Sequence, residues 1–209
     1  MRALIYTGGT ICPEGITDHP RGDDITIAAD SGIRNAERMG VTVDFAVGDF
    51  DSFPEQEIPK GTEIITVPAE KDFTDTQLAV DVALSKGAEE IIIVGGLGGR
   101  LDHTLSTLGI LEKLYDGNVR VLLTDGNNRV RYIRSTSELI PRGHYRYFSV
   151  LAADPKVKGV TIEGGKYPLK NKTLTRTNQF AVSNEIEKNC ALISVKKGGI
   201  FIIESRDPV

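Results

Sequence analysis

The chain has 209 residues, 40% of them apolar and 22 of them glycine, with a formal net charge of −4. That length admits one or two domains and a sizeable core, and no apolar run approaches the roughly 20 residues a bilayer crossing needs. Cys12 and Cys190 are too few for a disulfide framework or a cysteine metal knot, and the opening Met1–Gly9 stretch lacks the sustained apolar region of a secretory signal. A cytoplasmic protein with no membrane partner is expected. Charge is unevenly spread: residues 1–125 carry 22 acidic and 10 basic side chains, residues 126–209 carry 7 and 15. An acidic half followed by a basic one argues for two modules. The bases of the second half are dispersed through a strand-like pattern without an RNA-binding aromatic motif, so no nucleic-acid partner is expected.

In chain order, Ala3–Tyr6 reads as a strand leading into Thr7-Gly8-Gly9-Thr10. Ile25–Ala28 is a second short strand, followed by Asp30-Ser31-Gly32 and a helix over Ile33–Met39. Phe45–Val47 and Glu63–Val67 are further strands. A helix capped by Asp72 or Thr74 carries Leu78, Ala79, Val82 and Ala83 at helical spacing and ends near Gly87. Ile91–Val94 is a β-branched run of the kind buried on both faces. The leucines Leu105, Leu108, Leu111 and Leu114 predict a helix stopped by Gly117, and Val119–Leu123 a strand. From Arg129 onward only short strands are signalled: Arg129–Arg134, Tyr145–Leu151, Gly159–Glu163, Leu192–Val195 and Ile200–Glu204. Lys197-Gly198-Gly199 predicts a hairpin between the last two. The expected fold is α/β: an N-terminal, mostly parallel sheet flanked by helices, followed by a C-terminal all-β sandwich or barrel. The boundary falls near Asp125–Asn128, giving domains 1–126 and 127–209.

Open parallel sheets bind ligands beyond the carboxyl ends of their strands, and this chain concentrates carboxylates there. Asp30 follows the second strand, Asp49 and Asp51 the third, Asp72 and Asp75 lie beyond the fourth, and Asp102 follows the Gly95–Arg100 loop. Each has an ordinary reading as turn chemistry or a helix cap, and Asp102 suits a cap for the leucine-rich helix. Gathered in one crevice they would repel: two like charges about 4 Å apart cost roughly 4 kcal/mol at an effective dielectric of 20. A cation or shifted protonation is then required. Oxygen-only donors suit Mg²⁺, which bridges phosphate oxygens. Gly95–Arg100 supplies close backbone approach, N–H donors and a guanidinium for a phosphate chain. It is neither a P-loop nor a dinucleotide fingerprint, because the Gly-Lys-Ser/Thr and the third glycine are missing.

The blocks Ala29-Asp30-Ser31-Gly32, Gly48-Asp49-Phe50-Asp51-Ser52, Lys71-Asp72-Phe73-Thr74-Asp75 and Gly95-Gly96-Leu97-Gly98-Gly99-Arg100-Leu101-Asp102-His103, with a later Val182-Ser183-Asn184-Glu185, resemble the thiamine pyrophosphokinase family in sequence and order. The resemblance spans essentially the whole chain. Ser31 stands where many members carry a second glycine. It implies an α/β catalytic domain binding nucleotide and metal, then a β-sandwich domain binding thiamine and mediating a homodimer with shared active sites. The implied reaction moves the pyrophosphoryl group of ATP to the thiamine hydroxyl, giving thiamine diphosphate and AMP.

By the same resemblance, Asp49, Asp51 and Asp75 would hold Mg²⁺, and Arg100 and Asp102 would secure the phosphates and the glycine loop. Asp30, Ser31, Gly32 and Asn35 fall on the nucleotide side, with Lys71, Asp72, Gly98, Gly99 and His103 beside the cofactor. Ser183 and Asn184 would line the thiamine pocket from the second subunit. Either Asp49 or Asp51 is the candidate base, and His103 is equally a phosphate donor or a structural residue. Two alternatives stay open: a metal-dependent phosphohydrolase, and a non-catalytic nucleotide or thiamine sensor.

Overall fold

The structure, a computed structural model, describes residues 1–50, 58–66 and 73–207. The chain divides into two compact units, Met1–Gly126 and Asn127–Val209.

The first unit holds strands β1 (Arg2–Tyr6), β2 (Ile25–Ala29), β3 (Phe45–Gly48), β4 (Glu63–Thr66), β5 (Glu90–Val94) and β6 (Arg120–Thr124), and helices α1 (Ile33–Arg38), α2 (Asp75–Ser85) and α3 (Leu101–Asp116). The strands pair in parallel in the order β4-β3-β2-β1-β5-β6. Every residue of β1 is buried, as are Ile91–Val94 of β5, as expected of strands covered on both faces. The chain steps outward from β1 to β4, then restarts at β5 on the other side of β1. The loops leaving β1 and β5 therefore diverge, opening a crevice at the carboxyl ends of the two central strands.

Thr74, rather than a residue further upstream, caps α2. It accepts from Gln77 N–H at 3.2 Å while Gln77 Oε1 accepts from Thr74 N–H at 2.9 Å, a reciprocal capping box. Helix α3 begins four residues before the expected leucine stripe, so Asp102 lies inside its first turn and Arg100 stands at the N-cap without a side-chain cap bond. The buried face is Thr107, Ile110, Leu111 and Leu114, whereas Leu105 is 59% exposed. Leucines spaced strictly by three slip about 60° per step around a helix of 3.6 residues per turn. Such a stripe cannot stay on one face, and burial follows the three-then-four spacing instead.

The second unit is all β: β7 (Asn128–Arg134), β8 (Ser137–Pro141), β9 (Tyr147–Ala152), β10 (Lys156–Glu163), β11 (Leu169–Thr175), β12 (Cys190–Ser194) and β13 (Gly199–Ser205). They form two antiparallel sets, β7-β13-β9 and β11-β10-β12-β8. Alternate residues such as Phe148, Val150 and Ala152 on β9 are buried, the pattern of one apolar face per sheet. The expected β12–β13 hairpin does not form. Lys197 O instead accepts from Lys158 N–H at 2.9 Å, Gly198 O from Ser135 N–H at 3.1 Å, and Gly199 N–H donates to Asp154 at 3.0 Å. These bonds carry the chain from one sheet to the other, where β13 pairs with β7 and β9. Strands β8 and β11 were not anticipated. They border their sheet, and β11 buries only Leu174, which leaves no alternation to read. The interior also holds an ion group: Arg131 is paired with Glu204 and, at 3.0 Å, with Glu138.

Candidate active site

A cavity of about 380 Å³ occupies the crevice of the first unit. Its walls are Thr7–Thr10 after β1, Ala29–Ser31 after β2, Thr74–Thr76 at the start of α2, and Gly95, Gly96, Gly98–Arg100, His103 and Thr107 from the β5 loop and α3. Of the residues expected at the site, it gathers Asp30, Ser31, Asp75, Gly98, Gly99, Arg100 and His103.

Local structure explains each placement. Asp30 adopts a left-handed φ of 46°, opening the turn that sets Ser31 at the rim. Gly32 is buried beneath that turn, where a Cβ would stand 2.0 Å from Tyr6 O, so it supports the wall rather than lining it. Asn35 is also buried, its amide donating to Thr7 O and Gly9 O. Asp75 is the first residue of α2, where the helix dipole favours a carboxylate. Gly98 and Gly99 take φ of 77° and 70°, conformations that glycine adopts without strain, and both are exposed.

Arg100 grips Asp102 through Nε at 3.2 Å and Nη2 at 2.6 Å. Both side chains are largely exposed. The hydrogen bond raises the Arg100 pKa and holds the Asp102 carboxyl below the usual carboxylate range. The pair keeps the guanidinium at the cavity rim, and Asp102 also accepts from His103 N–H at 3.1 Å.

Asp49 follows β3 and is half-buried, with Phe50 beyond it buried at φ 55°; it does not line the cavity. Asp51, Lys71 and Asp72 lie outside the described residues. Among the described residues no three histidine, cysteine or carboxylate side chains are grouped to hold a metal ion. The donors offered by Asp49 and Asp75 are carboxylate oxygens, chemistry that fits a hard ion such as Mg²⁺ better than a softer metal.

Ser183 and Asn184 belong to the second unit. Ser183 is exposed with φ 54°. Asn184 is buried, its amide donating to Tyr167 O at 2.8 Å and its oxygen accepting from Tyr167 and Glu185 N–H at 2.9 Å. The side-chain amide thus shapes its own chain. Phe148 is core, and His144 packs edge-on against Tyr145.

Four cavity-lining contributions escaped the sequence reading: the Thr7–Thr10 turn, Thr74, Thr76 and Thr107. None is charged. The signal that finds the turn is topological, because β1 is one of the two strands flanking the point where strand order reverses.

A family model described as "Thiamin pyrophosphokinase, catalytic domain" matches residues 20–123, and one described as "Thiamin pyrophosphokinase, vitamin B1 binding domain" matches residues 136–200. The thiamine pyrophosphokinase of Bacillus subtilis is 33% identical over 97% of this chain and 98% of its own length. The chain belongs to the thiamine pyrophosphokinase family. The crystal structure of the Bacillus subtilis thiamine pyrophosphokinase superposes with a TM-score of 0.88 at 30% identity, covering all of both chains. That of a thiamin pyrophosphokinase family protein from Enterococcus faecalis does so with 0.83 at 32% identity, again over both full chains. Against this family background, the cavity falls within the catalytic-domain match apart from Thr7–Thr10, which precedes it. Among the described residues no helix is long and apolar enough to cross a membrane.

Proposed function

We propose that this chain is an ATP:thiamine diphosphotransferase that makes thiamine diphosphate and AMP, serving thiamine diphosphate biosynthesis in the cytoplasm. One observation carries the reading. In a chain of this family, the crevice at the switch point of the sheet combines an exposed glycine loop and Arg100 with two carboxylates, Asp30 and Asp75.

The phosphate chain of ATP lies against the Gly98–Gly99 backbone, where N–H groups approach without a Cβ in the way. Arg100 exchanges part of its grip on Asp102 for phosphate oxygens, and Asp102 returns the side chain to the rim when product leaves. Asp30 and Ser31 serve the nucleotide side, with Gly32 and Asn35 supporting them from beneath. Lys71, Asp72 and His103 flank the same ligand. The thiamine hydroxyl oxygen bonds to the β-phosphorus as the bond from that phosphorus to the α,β-bridging oxygen breaks, its electron pair leaving with AMP. The hydroxyl proton passes to a carboxylate, Asp49 or Asp51. Positioning and charge neutralisation provide most of the acceleration in such transfers.

Asp49, Asp51 and Asp75 would hold Mg²⁺, which when bound supplies neutralising charge at the transferring group. The second unit contributes thiamine contacts around Ser183 and Asn184, offered across a homodimer so that two chains share each site.

The test is incubation with ATP, Mg²⁺ and thiamine. AMP and a thiamine ester appearing in equal amounts support the transferase. Phosphate release without thiamine marks a phosphohydrolase, and binding without turnover a sensor. Asp75→Asn or Asp51→Asn abolishes turnover with the fold intact. Near-wild-type rates in either variant at saturating Mg²⁺ remove that residue from the metal set.

A further inference from the structure

The turn Gly8-Gly9-Thr10 leaves the central strand β1, lines the cavity, and lies ahead of the segment matched by the catalytic-domain model. Thr7 makes the last ladder contacts, donating to Val94 O through N–H at 2.9 Å and hydroxyl at 3.1 Å. Beyond it, the N–H groups of Gly8, Gly9 and Thr10 donate to no atom among the described residues. The two glycines are set by contact: a Cβ on Gly9 would stand 1.9 Å from Gly95 O, and one on Gly8 2.2 Å from Ser31 Oγ. The turn is therefore wedged between the β2 and β5 loops with bare backbone.

Asn35 decides which way that backbone faces. Its Nδ2 donates to Thr7 O at 2.6 Å and to Gly9 O at 2.7 Å, so both amide hydrogens are used on the turn. No peptide among the described residues is cis, and in a trans peptide the carbonyl and the next residue's N–H point in opposite directions. Drawing Thr7 O and Gly9 O toward buried Asn35 therefore turns Gly8 N–H and Thr10 N–H away from it. The same bonds withdraw two carbonyl oxygens that would repel an anion.

We propose that the Gly8–Thr10 turn is the second wall of the phosphate cradle, facing the triphosphate of ATP with its N–H groups, and that Asn35 is the positioning residue that fixes their direction. This rests on the reading of the cavity as an ATP site. Oriented N–H groups on a concave backbone are an anion-binding device, and the cavity's other anion-binding element is the loop carrying Arg100.

Asn35→Asp keeps the side chain's size but replaces its two hydrogens with a carboxylate facing two carbonyls. Thr10→Pro deletes one N–H at an exposed position and leaves Asn35 untouched, covering the case in which Asn35→Asp fails to fold. Binding is measured by titration calorimetry with α,β-methylene ATP and with adenosine as separate probes. The expected result is at least a tenfold weaker analogue in each folded variant, with adenosine affinity within twofold of wild type. Equal losses for both probes, or no loss, overturn the proposal. The assay of the unmodified protein is read separately. If it makes no thiamine diphosphate yet the analogue-selective loss is present, the turn's role stands and the transferase reading fails. If it is active and the selective loss is absent, this inference alone fails.

Discussion

Replacing Thr74 by alanine separates a residue that holds the site from one that performs chemistry in it. Thr74 both caps α2 and borders the cavity, immediately before Asp75. The substitution deletes the acceptor for Gln77 N–H, at 3.2 Å, and leaves the return bond from Thr74 N–H to Gln77 Oε1, at 2.9 Å. Loss of one such cap costs about 1 kcal/mol. For a chain of this size that lowers Tm by roughly 2–4 °C. Asp75 is the first helical residue, so if the whole cost falls on the first turn, the population with Asp75 in place drops at most about fivefold. The expected kcat is therefore a few-fold below wild type, against complete loss for Asp75→Asn, and Thr74→Ser restores both kcat and Tm. Thermal denaturation and steady-state AMP production measure the two quantities. An unchanged Tm would refute the capping role. A kcat loss as deep as that of Asp75→Asn, with Tm lowered only by the expected amount, would mean that the hydroxyl itself enters the reaction.

Arg100→Ala is expected to raise the KM for ATP far more than that for thiamine, whereas Asp102→Asn, which only loosens the guanidinium, produces a smaller change of the same kind; equal effects on both substrates would end the phosphate assignment of Arg100. In the second unit, Glu204→Gln leaves Arg131 with Glu138 as its remaining partner in a mostly buried setting. A loss of about 3 kcal/mol in urea denaturation is expected, near the lower end for breaking a buried pair, and a change under 1 kcal/mol would count against burial of that charge. Tyr6 is fully buried and its burial pushes the phenol up to about 12. The folded state thus binds that proton more tightly than the unfolded one. Its contribution is complete below the unfolded pKa of about 10 and is lost as pH rises toward 12, so stability falls over that window and Tyr6→Phe flattens the decline. An equally steep fall in the phenylalanine variant would assign it to other groups.

Local signals proved most readable where burial is nearly complete. Ile91–Val94 announces a strand because a β-branched run of that length has few other uses, whereas the start of α2 stays open between Asp72 and Thr74 until the bonds between Thr74 and Gln77 fix it. Border strands were illegible for the opposite reason: β11, LKNKTLT, buries a single leucine, so its pairing is dictated by β10 rather than by its own pattern. Lys197-Gly198-Gly199 has hairpin composition, yet the Lys197 and Gly198 carbonyls are claimed by Lys158 and Ser135, 39 and 63 positions earlier in the sequence. Leu105 lies on helix α3 as its spacing predicts, but on the exposed side, because leucines three apart drift around the helix and leave the buried face.

Composition and motif order alone were sufficient for the class of fold, the change of character near Asp125, the carboxylates and glycines of the strand ends, and the family resemblance. These are properties of neighbours along the chain, and their physics acts over a few residues. Tertiary structure decided which of those residues share a cavity: Asp30, Ser31, Asp75 and Arg100 line it, Asn35 and Gly32 lie beneath it, and an uncharged turn after β1 joins them. That outcome depends on the reversal of strand order at β1 and β5, a long-range pairing that no local pattern encodes.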